Sequence, residues 1–332
     1  MRKKKTIKLD ELKTHINKPV DIFVGFSGFE KRCLTIPETI KECINDAVIF
    51  SFEDAIAPHL NEENKKAFQD ILGNKVEIKQ FPKNRPIKIA DNIISLLNDK
   101  FKLLQVPSKR LLIDISTFSR EALLIFFKWL LDNHLVEKHN IQFVYNSAAG
   151  YSVNEENAKD KWLTRGIGDI RSILGYAGSI SPSKKLHLVI LVGFEVERAL
   201  KHIESYEPAI TSLGLGGEDC SICEEHYSVN RKIHQMIKDL YSNVEDFNFS
   251  CVDPIQTKED LKTQIDKYEG YNVVIAPLNT KLSAIGAALL AFEIPEIQIC
   301  YATANIYNIE GYSVPGDDCY LFSLDELIEK KS

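Results

Sequence analysis

Two short segments place a glycine, a carboxylate and an arginine directly after an apolar run. Asp21-Ile22-Phe23-Val24-Gly25-Phe26 leads into Glu30 and Arg32, and Val189-Ile190-Leu191-Val192-Gly193-Phe194 leads into Glu195 (or Glu197) and Arg198. Glycine lets the backbone approach a ligand closely. A guanidinium holds phosphate through paired hydrogen bonds, and a carboxylate acts as general base or stabilises developing positive charge. A second pair of segments carries turn chemistry: Asp114-Ile115-Ser116-Thr117 with Arg120, and Asn279-Thr280-Lys281. A third brings amides, hydroxyls and rings: Asn146, Ser147 and Tyr151, then Thr303, Asn305 and Tyr307. Tyrosine stacks a base and donates a hydrogen bond. The candidate ligand contacts are therefore Gly25, Arg32, Ser116, Thr117, Arg120, Asn146, Tyr151, Glu195, Arg198, Asn279, Lys281 and Tyr307. Glu30 and Asp114 are the candidate catalytic carboxylates if the chain is an enzyme.

Each group also has a plainer reading. Glu30 and Arg32 fit an exposed helix start, where an acid is favoured at the positive helix end. Ser116 or Thr117 fits a helix cap, and the tyrosines fit core walls. Asn64-Lys65-Lys66 and Asn230-Arg231-Lys232 read as exposed starts of amphipathic helices. Gly25-Phe26-Ser27-Gly28 lacks the third glycine of the dinucleotide fingerprint, so no nicotinamide cofactor is expected. Cys220-Ser221-Ile222-Cys223 with His226 is half of a zinc site, and no second C-x-x-C completes it, so no metal is expected. No phosphate-binding P-loop, G-x-S-x-G elbow or H-E-x-x-H helix occurs.

The elements that must position these residues occur twice. Asn64-Lys65-Lys66 with Gln69 returns as Asn230-Arg231-Lys232 with Gln235, and Val144-Tyr145-Asn146-Ser147-Ala148 returns as Cys300-Tyr301-Ala302-Thr303-Ala304. The order is the same, and Phe26 to Asn64 spans 38 residues where Phe194 to Asn230 spans 36. Strand-length apolar runs fall at 20–26, 47–52, 75–81, 110–115 and 141–146, then at 187–193, 209–215, 246–252, 272–277 and 297–302. Helical stretches lie between them, at 31–45, 61–73, 87–104 and 118–134, then 195–205, 228–242, 257–269 and 281–292. Several runs are apolar throughout, as parallel strands covered on both faces require. This alternation predicts an α/β protein of two tandem, duplicated Rossmann-like domains with mostly parallel sheets. The domains are expected at 1–152 and 186–332, with a connector at 153–185 that contains a helix near 162–177. The Lys-rich residues 1–5 read as a solvated tail, and the last residues as a strand at 319–323 and a helix at 324–330.

Composition agrees with this organisation. The chain has 332 residues, 44% hydrophobic and 27% charged, enough for a large core without disulfide or metal staples. Its 41 basic and 47 acidic residues leave a net charge of −6, which argues against duplex nucleic acid as a partner. Seven cysteines, several inside apolar runs, read as buried thiols of a reducing, cytoplasmic compartment. No apolar region follows the basic start as in a secretory signal, and the run at 123–131 is broken by Lys128, so no membrane span is expected.

The tandem pair of Rossmann-like units resembles the paired CARF-like architecture of SAVED-type sensor domains of prokaryotic defence systems. The resemblance is one of organisation across the whole chain. It implies binding of a nucleotide-like anionic ligand, of the kind of a cyclic oligonucleotide, and a role in antiviral defence; such sensors are usually fused to an effector domain, so the effector activity is expected here on a separate protein subunit. Three functions follow as expectations. The first is a cytoplasmic sensor or regulatory subunit for such a ligand. The second is an enzyme cleaving a phosphodiester or N-glycosidic bond through Glu30, Arg32, Asp114 and Arg120. The third is a scaffold subunit of a larger complex.

Overall fold

The computed structural model describes residues 6–156 and 160–328. The basic residues 1–5 and the last residues of the expected terminal helix lie outside them. The chain opens with β1 (Thr6–Lys8), α1 (Leu12–His15), β2 (Val20–Ser27), α2 (Thr35–Ile40) and β3 (Ile44–Phe52). It continues through α3 (Pro58–Leu72), β4 (Val76–Phe81), α4 (Pro86–Phe101), β5 (Arg110–Asp114), α5 (Arg120–Asp132) and β6 (Asn140–Tyr151). The second series is β7 (Thr164–Ser172), β8 (Leu186–Leu191), α6 (Val196–Tyr206), β9 (Ile210–Gly216), α7 (Glu224–Leu240) and β10 (Val244–Phe249). Then come α8 (Pro254–Ile265), β11 (Asn272–Pro277), α9 (Lys281–Glu293), β12 (Gln298–Tyr307), β13 (Ser313–Ser323) and α10 (Leu324–Ile328).

The strands form two sheets, in the orders β1-β13-β6-β5-β2-β3-β4 and β10-β9-β8-β11-β12-β7. Five consecutive strands of each, from β6 to the edge strand β4 and from β12 to the edge strand β10, pair in parallel, as in β5 with β2 and β6, or β11 with β8 and β12. Numbered within its own half, each set runs 3-2-1-4-5, the doubly wound order of a Rossmann-like sheet. The protein is thus an α/β chain in which one architecture occurs twice. The order reverses between β2 and β5 and between β8 and β11, and a doubly wound sheet opens its crevice at such points.

The chain divides into two compact units, but not where the sequence suggested. One contains the described residues up to Ala149 together with those from Ser313 onward, and the other spans Gly150–Tyr312. The expected connector at 153–185 is no linker. Thr164–Ser172 is strand β7, which pairs antiparallel with β12 through Tyr307↔Thr164 to Cys300↔Ser172. The helix expected near 162–177 is absent because Gly166 and Gly168 disfavour it, while β12 offers an open edge. Conversely β13, which follows β12 in the chain, lies between β1 and β6 of the other sheet. The sixth strands are therefore exchanged. The expected helix at 31–45 also breaks up. Pro37 has no N–H for the carbonyl of Cys33, so the turn Lys31–Leu34 is tight and α2 begins afresh at Thr35.

Local chemistry explains most helix starts. Pro58, Pro86 and Pro254 occupy first helical positions, where the missing N–H costs nothing. Ser119 and Thr280 cap α5 and α9 by accepting from the N–H groups of Ala122 and Ser283. Both helices are apolar almost all round and almost wholly buried, as central helices of a covered sheet must be. Where α9 meets α8, a β-carbon on Gly286 would come within 2.6 Å of the Pro254 carbonyl oxygen. Replacing Gly286 by valine should therefore destabilise the second unit by about 2 kcal/mol. The check is the urea midpoint of the full chain, which should fall for Gly286→Val.

Candidate functional site

In the first unit the chain leaves β2 at Ser27, turns at Gly28, and doubles back through the tight turn Lys31–Leu34. This carries the Arg32 guanidinium inward, leaving it 1% exposed. Its Nη1 donates to the Asn146 carbonyl (2.9 Å). Its Nη2 donates to the Ser116 carbonyl (3.1 Å) and to Glu30 Oε2 (3.0 Å). The ring of Tyr145 lies 5.9 Å from its centre. Ser313 donates its hydroxyl to Glu30 Oε2 (2.6 Å). Arg32 thus joins the turn after β2 to the ends of β5 and β6, with its terminal nitrogens engaged by protein acceptors. A buried charge is tolerated only when paired and hydrogen-bonded in this way.

The neighbouring candidates serve the same junction. Asp114 Oδ1 accepts from the Ser116 N–H (2.9 Å), Ser116 Oγ accepts from the Asn146 N–H (2.8 Å), and Thr117 donates to the Phe26 carbonyl (2.7 Å). Asn146 Nδ2 donates to the Gly316 carbonyl (2.7 Å). Gly25 lies inside β2, where a β-carbon would stand 3.1 Å from Ile49 Cδ1. It is a packing residue of the sheet rather than part of a rim. Arg120 and Lys281 occupy the same place in the two units, the first position of α5 and of α9, both half-buried.

The second unit repeats the junction with changed contacts. Glu195 stands immediately before α6, and Arg198 one turn in. Arg198 Nη1 donates to Glu195 Oε2 (3.2 Å), Thr164 donates to Glu195 Oε1 (2.7 Å), and Tyr301 lies 5.7 Å from the guanidinium centre. Tyr301 is the counterpart of Tyr145, and Glu195 that of Glu30. Burial opposes the charge on Arg198. Glu195, then the hydroxyls of Tyr301, Tyr307 and Tyr312, outweigh it and hold its pKa above the ordinary value. Its Nε and the Oδ1 of Asn230 are buried and meet no hydrogen-bond partner among the described residues. At the crevice itself, Asn279 donates to the Val192 carbonyl and accepts from the Thr280 N–H. A β-carbon on Gly193 would come within 2.2 Å of the Leu278 carbonyl oxygen. Glycine here permits the two loops to close on one another.

Tyr151 and Tyr307 are the last residues of β6 and β12, and both belong to the second unit. They lie in one run of rings. Tyr307 stacks on Tyr312 at 6.2 Å, and Tyr312 meets Tyr151 at 6.5 Å. Tyr151 meets Phe194 at 5.5 Å and His226 at 5.2 Å. The three tyrosines are half-buried, whereas Phe194 and His226 are buried. The second unit therefore gathers Glu195, Arg198 and a tyrosine face, while the first gathers Glu30, Arg32, Asp114, Ser116, Thr117 and Asn146.

Several of these residues were not legible as site residues. Asn64 and Asn230 are not exposed helix starts but buried residues within α3 and α7, 4% and 3% exposed. Asn64 Nδ2 donates to the Gly28 carbonyl (2.8 Å) and so fixes the turn after β2. Their recurrence in both halves was the available signal. Thr164 and Ser313 lie in segments without repeat partners that mark them. Cys220 and Cys223 are half-buried free thiols, and among the described residues no three His, Cys, Asp or Glu side chains gather as a cation site. Among those residues no helix is long and apolar enough to cross a membrane.

No protein-family model matches the chain, and no curated protein does. Among solved structures, the cytoplasmic domain of a prokaryotic cation chloride cotransporter aligns at 8% identity and TM-score 0.26. It covers 88% of this chain and 99% of that one. The NADP-bound N-domain of a bacterial malonyl-CoA reductase aligns at 10% identity and TM-score 0.27, covering 84% and 77%. An O-ureido-L-serine synthase aligns at 11% identity and TM-score 0.20, covering 86% and 81%. At these TM-scores none of the three carries an argument about function.

Two buried histidines of the second unit have a measurable consequence. His202 contacts Cys300 Sγ at 3.5 Å through Nδ1, and His187 meets Ser212 Oγ at 2.7 Å through Nε2. Burial pushes both pKa values down to about 4, with nearby Arg198 adding to the effect on His202. In the unfolded chain a histidine takes its proton near pH 6.5. Stability present above that value is therefore lost as the pH falls towards 4, on the order of 3 kcal/mol for each histidine. Denaturant midpoints measured from pH 7 to pH 4.5 should fall steeply, and His202→Asn should flatten the slope.

Proposed function

We propose that this chain is a binding protein for a nucleotide-like anion, a cytoplasmic sensor or regulatory subunit, with its ligand site in the second unit. The observation that carries the reading is the buried Nε–H of Arg198, a donor without a hydrogen-bond partner among the described residues, set beside Glu195 and the hydroxyls of Tyr301, Tyr307 and Tyr312. An unmet buried polar group costs about 1–3 kcal/mol, which a ligand group can relieve. The guanidinium suits phosphate, and the half-buried faces of Tyr151, Tyr307 and Tyr312 suit a base. In the first unit the terminal nitrogens of Arg32 meet backbone carbonyls, which supports a bracing role there.

The carboxylates favour binding over catalysis. Glu30 is tied to Arg32 and Ser313, and Asp114 closes a turn on the Ser116 N–H, so each has a structural task. On this reading the effector is a separate protein subunit, and the setting is the antiviral defence that the SAVED-type resemblance implies.

Thermal unfolding of the full chain with ADP, NAD, a cyclic dinucleotide or inorganic phosphate tests the proposal. At least one nucleotide should raise the transition by about 5 °C at a hundredfold excess over its Kd. Tyr307→Ala should abolish that rise while leaving the unliganded transition within about 2 °C, as expected of a partly exposed side chain. No shift with any of the four would overturn the reading in favour of a scaffold. Turnover of a nucleotide that is lost in Asp114→Asn would overturn it in favour of an enzyme.

A further inference from the structure

Cys220 and Cys223 take no part in the site proposed above, and their place in the second unit gives them a chemistry of their own. The chain leaves β9 at Gly216, makes the tight turn Glu218–Cys220, bends through residues 221–223 and enters α7 at Glu224. Both flanks of the bend are anchored. Gly217 N–H donates to the Phe249 carbonyl (3.0 Å), Cys220 N–H donates to the Gly217 carbonyl (3.0 Å), and the Cys220 carbonyl accepts from the Cys251 N–H (2.9 Å). On the other flank Tyr227 N–H donates to the Cys223 carbonyl (3.1 Å) and opens the first turn of α7. Only Ser221 and Ile222 separate the two cysteines. Residues three apart on a bent chain reach the α-carbon spacing that a disulfide needs, about 4.4–6.8 Å.

The other thiols are placed differently. Cys33, Cys251, Cys300 and Cys319 are buried, each at most 2% exposed. Burial pushes the pKa of Cys33 and of Cys300 above the ordinary thiol range, and that of Cys319 up to about 12. A thiol must lose its proton before it attacks, so these three are inert. Cys43 is half-buried, but its nearest cysteine in the sequence is the buried Cys33. Cys220 and Cys223 are both half-buried, and each has a second accessible thiol close by in the chain. Access and a resolving partner are the two properties that redox-sensing cysteines combine. Four exposed carboxylates flank the pair, Glu218, Asp219, Glu224 and Glu225. They repel an anionic oxidant such as glutathione disulfide and leave an uncharged one unhindered.

We propose that Cys220 and Cys223 are a peroxide-responsive dithiol, oxidised in place to an intramolecular disulfide. One thiolate attacks hydrogen peroxide. An S–O bond forms, the O–O bond breaks, and the departing hydroxide takes up a proton as water. The second thiolate attacks the sulfenic sulfur, so the S–S bond forms, the S–O bond breaks, and a second hydroxide leaves as water. The two sulfurs give two electrons to the peroxide, and the two thiol protons end in the two waters. In a reducing compartment such a bond is transient, and a thiol reductant reverses it. Closure ties the end of β9 to the head of α7, where Glu225 pairs with Lys161 (3.1 Å) and His226 packs on Tyr151 (5.2 Å). The dithiol needs no ligand, so its test is separate from that of the nucleotide reading.

The test is exposure of the full chain to graded hydrogen peroxide, then quenching with catalase, alkylation under denaturing conditions and peptide mass spectrometry. The reduced chain takes seven labels, one for each cysteine. Peroxide should remove two of them, with Cys220 and Cys223 joined within one peptide, and dithiothreitol should restore both. Cys220→Ser and Cys223→Ser should each form no intramolecular disulfide. Free cysteine at the same concentration in a parallel tube sets the dose. Full labelling of Cys220 and Cys223 at a dose that consumes the free cysteine would overturn the proposal. So would a disulfide from either of them to Cys251 or to a second chain, or oxidation to a sulfinic acid without any disulfide.

Discussion

A guanidinium taken out of water is the constraint around which both units are built. Arg32 and Arg198 are each at most 3% exposed, and an unpaired charge at such depth would be prohibitive. Each unit answers in the same way, with a carboxylate two or three residues before the arginine and a tyrosine ring from the fifth strand. The turn after the first strand, the ends of the fourth and fifth strands and the start of the sixth converge on the arginine because its hydrogen bonds must be met. The doubly wound order brings those strand ends together at one edge.

The two copies have met the demand to different extents. In the first, carbonyls of Asn146 and Ser116 join Glu30 on the terminal nitrogens. In the second, no such carbonyl contact occurs among the described residues, and rings from the ends of β6 and β12 collect nearby. Duplication followed by divergence explains the pattern: in one copy backbone carbonyls share the terminal nitrogens of the arginine with a glutamate, and in the other a glutamate and a set of rings surround it.

Much of this was legible in the residues. The repeated apolar runs, each ending at a polar turn, revealed the parallel strands and the doubled plan, because buried parallel strands need continuous apolar sequence. Glu30, Arg32, Glu195 and Arg198 stood out for the same reason. The sequence was silent on Thr164 and Ser313. Their hydroxyls gain meaning only through long-range pairing, and β7 contains glycines and charges that disguise a strand. Asn64 and Asn230 were misread because neighbouring lysines and arginine suggested exposure. The helix face turned inward holds an amide that meets backbone rather than water.

The exchanged sixth strands also bear on how the chain is made. Domains ordinarily fold in the order of their synthesis, each as it emerges from the ribosome. Here the sheet begun by the earliest strands lacks β13, and with it the partner of β1, until the whole of Gly150–Tyr312 has been translated. The first unit waits on the second, so a nascent chain interrupted late would leave exposed the flank of β6 that β13 covers in the finished protein.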